Sequence, residues 1–144
     1  MKKLILIFFN LLYVLCLLSC ANFTSKKQDQ FFVSQFFNNE VVFDNLAKYY
    51  PRDNTIKIYD RKKELVDKSI TYGSSSKKIK IDIYANENQQ DYFVIYNFIL
   101  NQDLATIVFA TSDMEYGIIF HLQKIKIKND MQWVVVNTIH KYSR

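Results

Sequence analysis

The hydrophobic positions of this chain change rhythm several times, and each rhythm predicts a different element. Leu4 to Leu18 is apolar except for Asn10 and Tyr13, with Lys2 and Lys3 before it and Ser19-Cys20 after it. A positive start, an apolar run and a small residue at the end is the layout of a secretory signal peptide. At about 22 Å in helical form, the run falls short of the roughly 30 Å hydrocarbon core. Residues 21–30 (ANFTSKKQDQ) are polar and read as a tether with a root-mean-square span of roughly 17 Å. From residue 31 to 50 the apolar groups fall at 32, 33, 36, 37, 43, 46, 47 and 50, which follows the 3.6-residue period of a helix. Asn38 or Asn39 before Glu40 is positioned to cap a second helix, so one or two helices are predicted, ending at Pro51.

Beyond Pro51 the period drops to two. Ile56 and Ile58 alternate with Lys57 and Tyr59, residues 61–68 read as a charged loop or helical turn, and Gly73-Ser74-Ser75-Ser76 is a loop. Ile79, Ile81 and Ile83 alternate with Lys80 and Asp82, predicting a strand with one wet face. Asn86 to Gln90 reads as a polar turn. Tyr92 to Leu100 is apolar on both parities except Asn97, which predicts an interior strand covered on both sides. Asn101-Gln102-Asp103 leads into a strand at 104–111. Strands at 117–128 and 132–142 flank a three-residue loop, Asn129-Asp130-Met131. That loop sets Ile127 opposite Trp133 and Ile125 opposite Val135, with an extra residue near Gln123 to keep Ile118, Phe120 and Leu122 on the same face. The expected class is α+β: one or two amino-terminal helices on a curved antiparallel sheet of five or six strands, closing in a long β-hairpin.

Leu17-Leu18-Ser19-Cys20 resembles the lipobox of bacterial lipoproteins. The resemblance implies cleavage before Cys20 and acylation of its sulfur. It divides the chain into a signal peptide (1–19), a lipidated cysteine and tether (20–30) and a single α+β domain (31–144). Ala21 in place of an aspartate after the cysteine leans, by the same analogy, toward the outer membrane, facing the periplasm or the cell surface. Plain secretion and a retained helix are the alternatives. The stretch ATIVFATSDMEYGIIFHLQKIKIKNDMQWVVVNTI, residues 105–139, resembles the closing hairpins of the nuclear-transport-factor-like (cystatin-like) superfamily, where a helical start packs into a curved sheet.

Composition narrows the chemistry. Only Cys16 and Cys20 are present, so a domain that starts after Cys20 has no thiol catalysis, zinc–thiolate site or internal disulfide. Without Lys2 and Lys3 the balance is 17 basic to 14 acidic residues, and arginine appears only at 52, 61 and 144, which argues against nucleic-acid recognition. His121 and His140 fall on the two strands of the last hairpin, where the expected register makes them cross-strand neighbours, a pair able to act as a pH switch or as part of a metal site. Two ligands alone do not make such a site, so no metal and no cofactor is assigned. The carboxylates Asp53, Asp60, Asp82, Asp113 and Glu115 are scattered, and no nucleophile or phosphate-binding motif occurs. Tyr59, Tyr84 and Tyr142 fall on wet parities and are the candidate partner contacts. The leading expectation is a non-enzymatic, lipid-anchored envelope protein, held to membrane lipid by acylated Cys20 and binding a protein partner. An immunity lipoprotein against a periplasm-acting toxin is one alternative, and a small hydrolase or isomerase with a pocket in the sheet is another.

Overall fold

The computed structural model describes residues 29–51, 54–84 and 91–142. Cys20, with the signal and nearly all of the tether, lies outside the described residues, as does the predicted turn at 86–90.

Two short helices open the fold, α1 (Gln30–Phe37) and α2 (Glu40–Ala47). Asp29 caps the first by accepting from the Phe32 N–H at 3.1 Å, and Asn39 caps the second by accepting from the Val41 N–H at 2.9 Å. The break predicted at Asn38–Asn39 is therefore real: the Asn39 side chain serves the second helix rather than continuing the first. Seven strands follow: β1 (Thr55–Tyr59), β2 (Ile70–Gly73), β3 (Lys78–Asp82), β4 (Phe93–Asn101), β5 (Leu104–Thr111), β6 (Tyr116–Ile127) and β7 (Asp130–Tyr142). They form one curved sheet in the order β2-β3-β1-β4-β5-β6-β7. Among the described residues no helix is long and apolar enough to cross a membrane.

The sheet corrects the sequence-based expectation in two ways. It has seven strands rather than five or six, because Ile70–Gly73 pairs with β3 as a short edge strand. It is mixed rather than antiparallel, because β1 runs parallel to both β3 and β4. Strand alternation encodes which side of a strand is buried, and carries no mark of its neighbour's direction. β1 and β3 run parallel because the 60–69 connection carries the chain past one strand position to β2, and the β2–β3 hairpin brings it back beside β1. Asp60 organises that connection. Fully buried, its carboxylate accepts from the backbone N–H groups of Glu64 (2.9 Å), Leu65 (2.7 Å) and Val66 (3.0 Å). Leu65 and Val66 are thereby pinned into the core within a charged segment.

One face of the sheet carries the core. Phe32 and Phe36 of α1 lie among Phe98, Phe109, Phe120 and Trp133, with ring centroids 5.0–6.1 Å apart. Trp133 is buried, as predicted, but its neighbours are not Ile125 and Ile127. The last turn holds two residues, and Trp133 stands opposite Lys124 with Ile125 opposite Gln132. Relative to the expected register this is a shift of three residues. An odd shift puts Ile125 and Ile127 on the face opposite Trp133. A bulge does interrupt the hairpin, between His121 and Leu122, but the extra residue is Val136 on β7 rather than one near Gln123 on β6. A second bulge, at Tyr96 between Ile95 and Asn97, reverses the phase of β4.

The β7 edge is partly guarded. The Trp133 backbone N–H donates to Gln35 Oε1 of α1 at 2.9 Å, and the Val136 bulge breaks the regular edge that another strand would need.

Candidate functional site

Each of the three tyrosines singled out from sequence has a separate location. Tyr59 closes β1, and Tyr84 is exposed just beyond β3, with Lys63 Nζ 6.0 Å from its ring centroid. Tyr142 ends β7, four strand positions away from β1 in the sheet, or about 19 Å at ordinary strand spacing. They do not form one contact surface.

Tyr142 instead joins His140 and three residues that the sequence did not single out. Tyr49, Tyr116, Tyr142, His140 and Lys48 line an open cleft of about 510 Å³ at one end of the sheet. The Tyr116 ring is 5.3 Å from Tyr49 and 5.2 Å from Tyr142. His140 Nδ1 meets the Tyr49 hydroxyl at 2.8 Å, and Nε2 meets Asn45 Oδ1 at 3.1 Å. Asn45 donates its amide to Val41 O, so Oδ1 is the acceptor facing the ring, and Nε2 carries the proton. Nδ1 then accepts from Tyr49. Burial, reinforced by the Lys48 charge, lowers the His140 pKa and keeps the ring neutral. Burial also raises Tyr49, with Tyr142 and Tyr116 adding to the effect. Both imidazole nitrogens are thus spent on holding α2 against β7, and the Tyr49 hydroxyl keeps its proton at neutral pH. The cluster is a tie with an aromatic cleft beside it.

The expected histidine pair does not form. His121 pairs with Asn137 and His140 with Ile118, and the two rings lie on opposite faces of the sheet. His121 bonds Thr106 Oγ1 at 3.1 Å. The carboxylates stay apart as well: Asp82 pairs with Lys80 at 2.8 Å, and Asp113 accepts from the Thr111 hydroxyl and the Glu115 N–H.

The larger feature is the sheet face turned away from the helices. Over β1–β3 it is polar, carrying Lys57, Lys78, Lys80 and Asp82. Over β4–β7 the same face is mixed: Asn97, Thr106, His121, Gln123 and Asn137 lie among apolar side chains, and Lys141 stands at one end. Ile99 is 53 % exposed, Leu104 58 % and Val136 56 %, and Val108, Ile119 and Ile139 lie half-buried between them. The expectation that β4 is covered on both sides is therefore corrected. Its second parity is apolar, but among the described residues no helix or loop covers it; Tyr96 there is 64 % exposed. The signal was present in the sequence as apolar residues on both parities, and sequence alone cannot tell a covered face from an open one.

The sequence matches no family model, and neither curated proteins nor solved structures give a match.

Proposed function

We propose that this chain is a lipid-anchored envelope protein whose domain binds a protein partner through the open face of β4–β7. The observation that carries the reading is the contrast along one sheet face, which is lysine-rich over β1–β3 but uncharged at its centre over β4–β7, where exposed Tyr96, Ile99, Leu104 and Val136 stand among half-buried Val108, Ile119 and Ile139 and neutral polar side chains. Isolated surface Ile or Val residues need no explanation, whereas several exposed large apolar side chains on one uncovered face point to an interaction site. Strand propensity alone would favour β-branched residues on β1–β3 equally, yet the exposed parity there is lysine-rich. The anchor rests on Leu17-Leu18-Ser19-Cys20 after an apolar run too short to span a bilayer. Two or more acyl chains would make the attachment stable.

The binding reading is tested in intact cells with a photo-crosslinking amino acid at Ile99, and at Lys57 as a control on the polar half. Protein adducts at Ile99 and not at Lys57 are expected; their absence at Ile99 would remove the reading. The anchor is tested separately by labelled palmitate and by Cys20→Ser, which should release the protein from membranes.

A further inference from the structure

We infer that the outer edge of β2 takes an extended peptide as an added strand, one with an acidic side chain between two bulky apolar ones. This edge is a different surface from the β4–β7 face and does not depend on it.

The backbone of β2 shows which of its groups are open. The Ser74 N–H donates to the Lys77 carbonyl at 2.9 Å, so Ser74 points its backbone at the returning chain. Antiparallel pairs alternate between bonded and non-bonded. Tyr72 and Ile70 therefore bond β3, while Gly73 and Thr71 turn their backbone groups away from it. The Gly73 N–H accordingly donates to Asn38 Oδ1 at 3.1 Å, beyond the edge. On β3 the Lys78 N–H donates to the Asn54 carbonyl, on the β1 side, as the same alternation requires. Thr71 is exposed, and its N–H and C=O have no hydrogen-bond partner among the described residues. A donor and an acceptor on a strand edge match the backbone of another extended chain. No bulge interrupts β2, in contrast to β7.

A cleft of about 390 Å³ lies beside this edge, between α1 and β2. Buried Val33, Leu65 and Val66 line it with half-buried Ile70 and Tyr72. Its size is in the range of ligand sites. Side chains alternate along a strand. A residue pairing with Thr71 turns its own side chain to the outer face, and its two neighbours turn theirs to the helix side, beside Ile70 and Tyr72. Apolar side chains at those two positions fit the cleft. Asp67 and Lys68 also line it, one of each sign, and together favour neither charge.

The outer face selects the central residue. Lys80 is held by Asp82 at 2.8 Å, whereas Lys78 is exposed with no ion pair among the described residues. Lys78 stands opposite Gly73, which has no side chain to screen it from the edge. By strand spacing and rise it lies about 12 Å from the added residue, a distance that a lysine and a glutamate side chain span together. A second copy of the chain would offer Thr71 at that position, with no carboxylate, and its Tyr72 ring is already stacked on Phe37 at 5.5 Å.

The test uses the full chain in detergent and a labelled synthetic peptide, Ser-Thr-Val-Glu-Leu-Thr-Ser. The controls are Ser-Thr-Ser-Glu-Ser-Thr-Ser and Ser-Thr-Val-Lys-Leu-Thr-Ser. The Val-Glu-Leu peptide should bind saturably, ahead of both controls, and slow hydrogen exchange of the Thr71 amide. Lys78→Glu should weaken it about two- to fivefold and favour the lysine-centred peptide instead. Thr71→Pro removes the outward N–H at an edge position where proline is tolerated. It should weaken the peptide about fivefold or more with circular dichroism unchanged. If that variant does not fold, the charge swap decides, and an unaltered peptide preference in Lys78→Glu overturns the inference. No saturable binding at millimolar peptide, or equal binding of the Ser-Glu-Ser control, also overturns it. Binding that protects β4–β7 amides and not Thr71 supports that face alone and overturns the edge site. A Thr71 amide already protected without peptide, in a protein that sediments at twice the chain mass, assigns the edge to a second copy and overturns it too.

Discussion

Two residues do more than their sequence neighbourhood suggests. Asp60 looked like one of several scattered carboxylates, but it is fully buried and terminates three backbone N–H groups of the β1–β2 connection. Removing a buried charged acceptor strands its donors, at about 1–3 kcal/mol for each unsatisfied group. Asp60→Ala should therefore lower stability by about 3–5 kcal/mol in urea unfolding. A loss below about 1 kcal/mol would mean that water replaces the carboxylate. His140 gives a pH dependence. Burial and Lys48 hold its pKa below the ordinary 6.5, so the folded protein binds fewer protons there than the unfolded chain. The unfolded chain gains that proton as pH falls through the ordinary value, and stability falls with it until the pH passes below the folded pKa. His140→Gln should narrow the difference between urea midpoints measured at pH 7.5 and pH 5. An identical difference in both proteins would show that His140 does not contribute.

The elements that formed as read are those whose pattern answers to one nearby cause. The Asn39 cap, the alternation of β1 and β3 and the buried parity of β5 are local, because a side chain and its own backbone decide them. The last hairpin shows the limit. A turn one residue shorter and set earlier, at Lys128-Asn129, with the bulge on β7 rather than β6, changed the pairing of every residue and separated Trp133 from Ile125 and Ile127. Trp133 stays buried because α1 supplies its packing through Phe32, 5.0 Å away in an edge-on contact, with Lys124 Nζ 5.8 Å from the ring. Trp133→Ala should cost about 3–5 kcal/mol through lost burial and a cavity. Tyr142→Ala, at a 67 % exposed position, should cost far less, and equal losses would contradict the packing described above. The β2–β3 turn has a different constraint. Gly73 sits at φ +99°, and a Cβ there would meet the Lys77 carbonyl oxygen at 2.1 Å. Gly73→Ala should loosen that hairpin and cost about 1–3 kcal/mol, measured by urea unfolding. No loss would mean that the turn adopts another conformation.

At the scale of the molecule, the sheet divides into two unequal halves. β4–β7 is a long antiparallel meander filled by the phenylalanine core, and β5 and β6 have partners on both sides. β1–β3 is short, partly parallel and ends in the four-residue edge strand β2. Hydrogen exchange should therefore be slowest in β5 and β6 and fastest among the strands in β2. Protection in β2 equal to that in β6 would show that the sheet opens only as a unit.

Sequence by itself determined the helix pair and its break, the buried parity of most strands, a loop after Gly73 and the absence of any thiol beyond Cys16 and Cys20. These follow from periodicity, capping chemistry and count, all of which act within a few residues. Tertiary structure alone decided the parallel placement of β1, the burial of Asp60, the register of the last hairpin and the separation of His121 from His140. It also decided that the second apolar parity of β4 faces outward with no element over it. Each of these depends on which strand lies next to which, and on what covers a face. Those relations join residues far apart in the chain, and a pattern of polar and apolar positions does not record them.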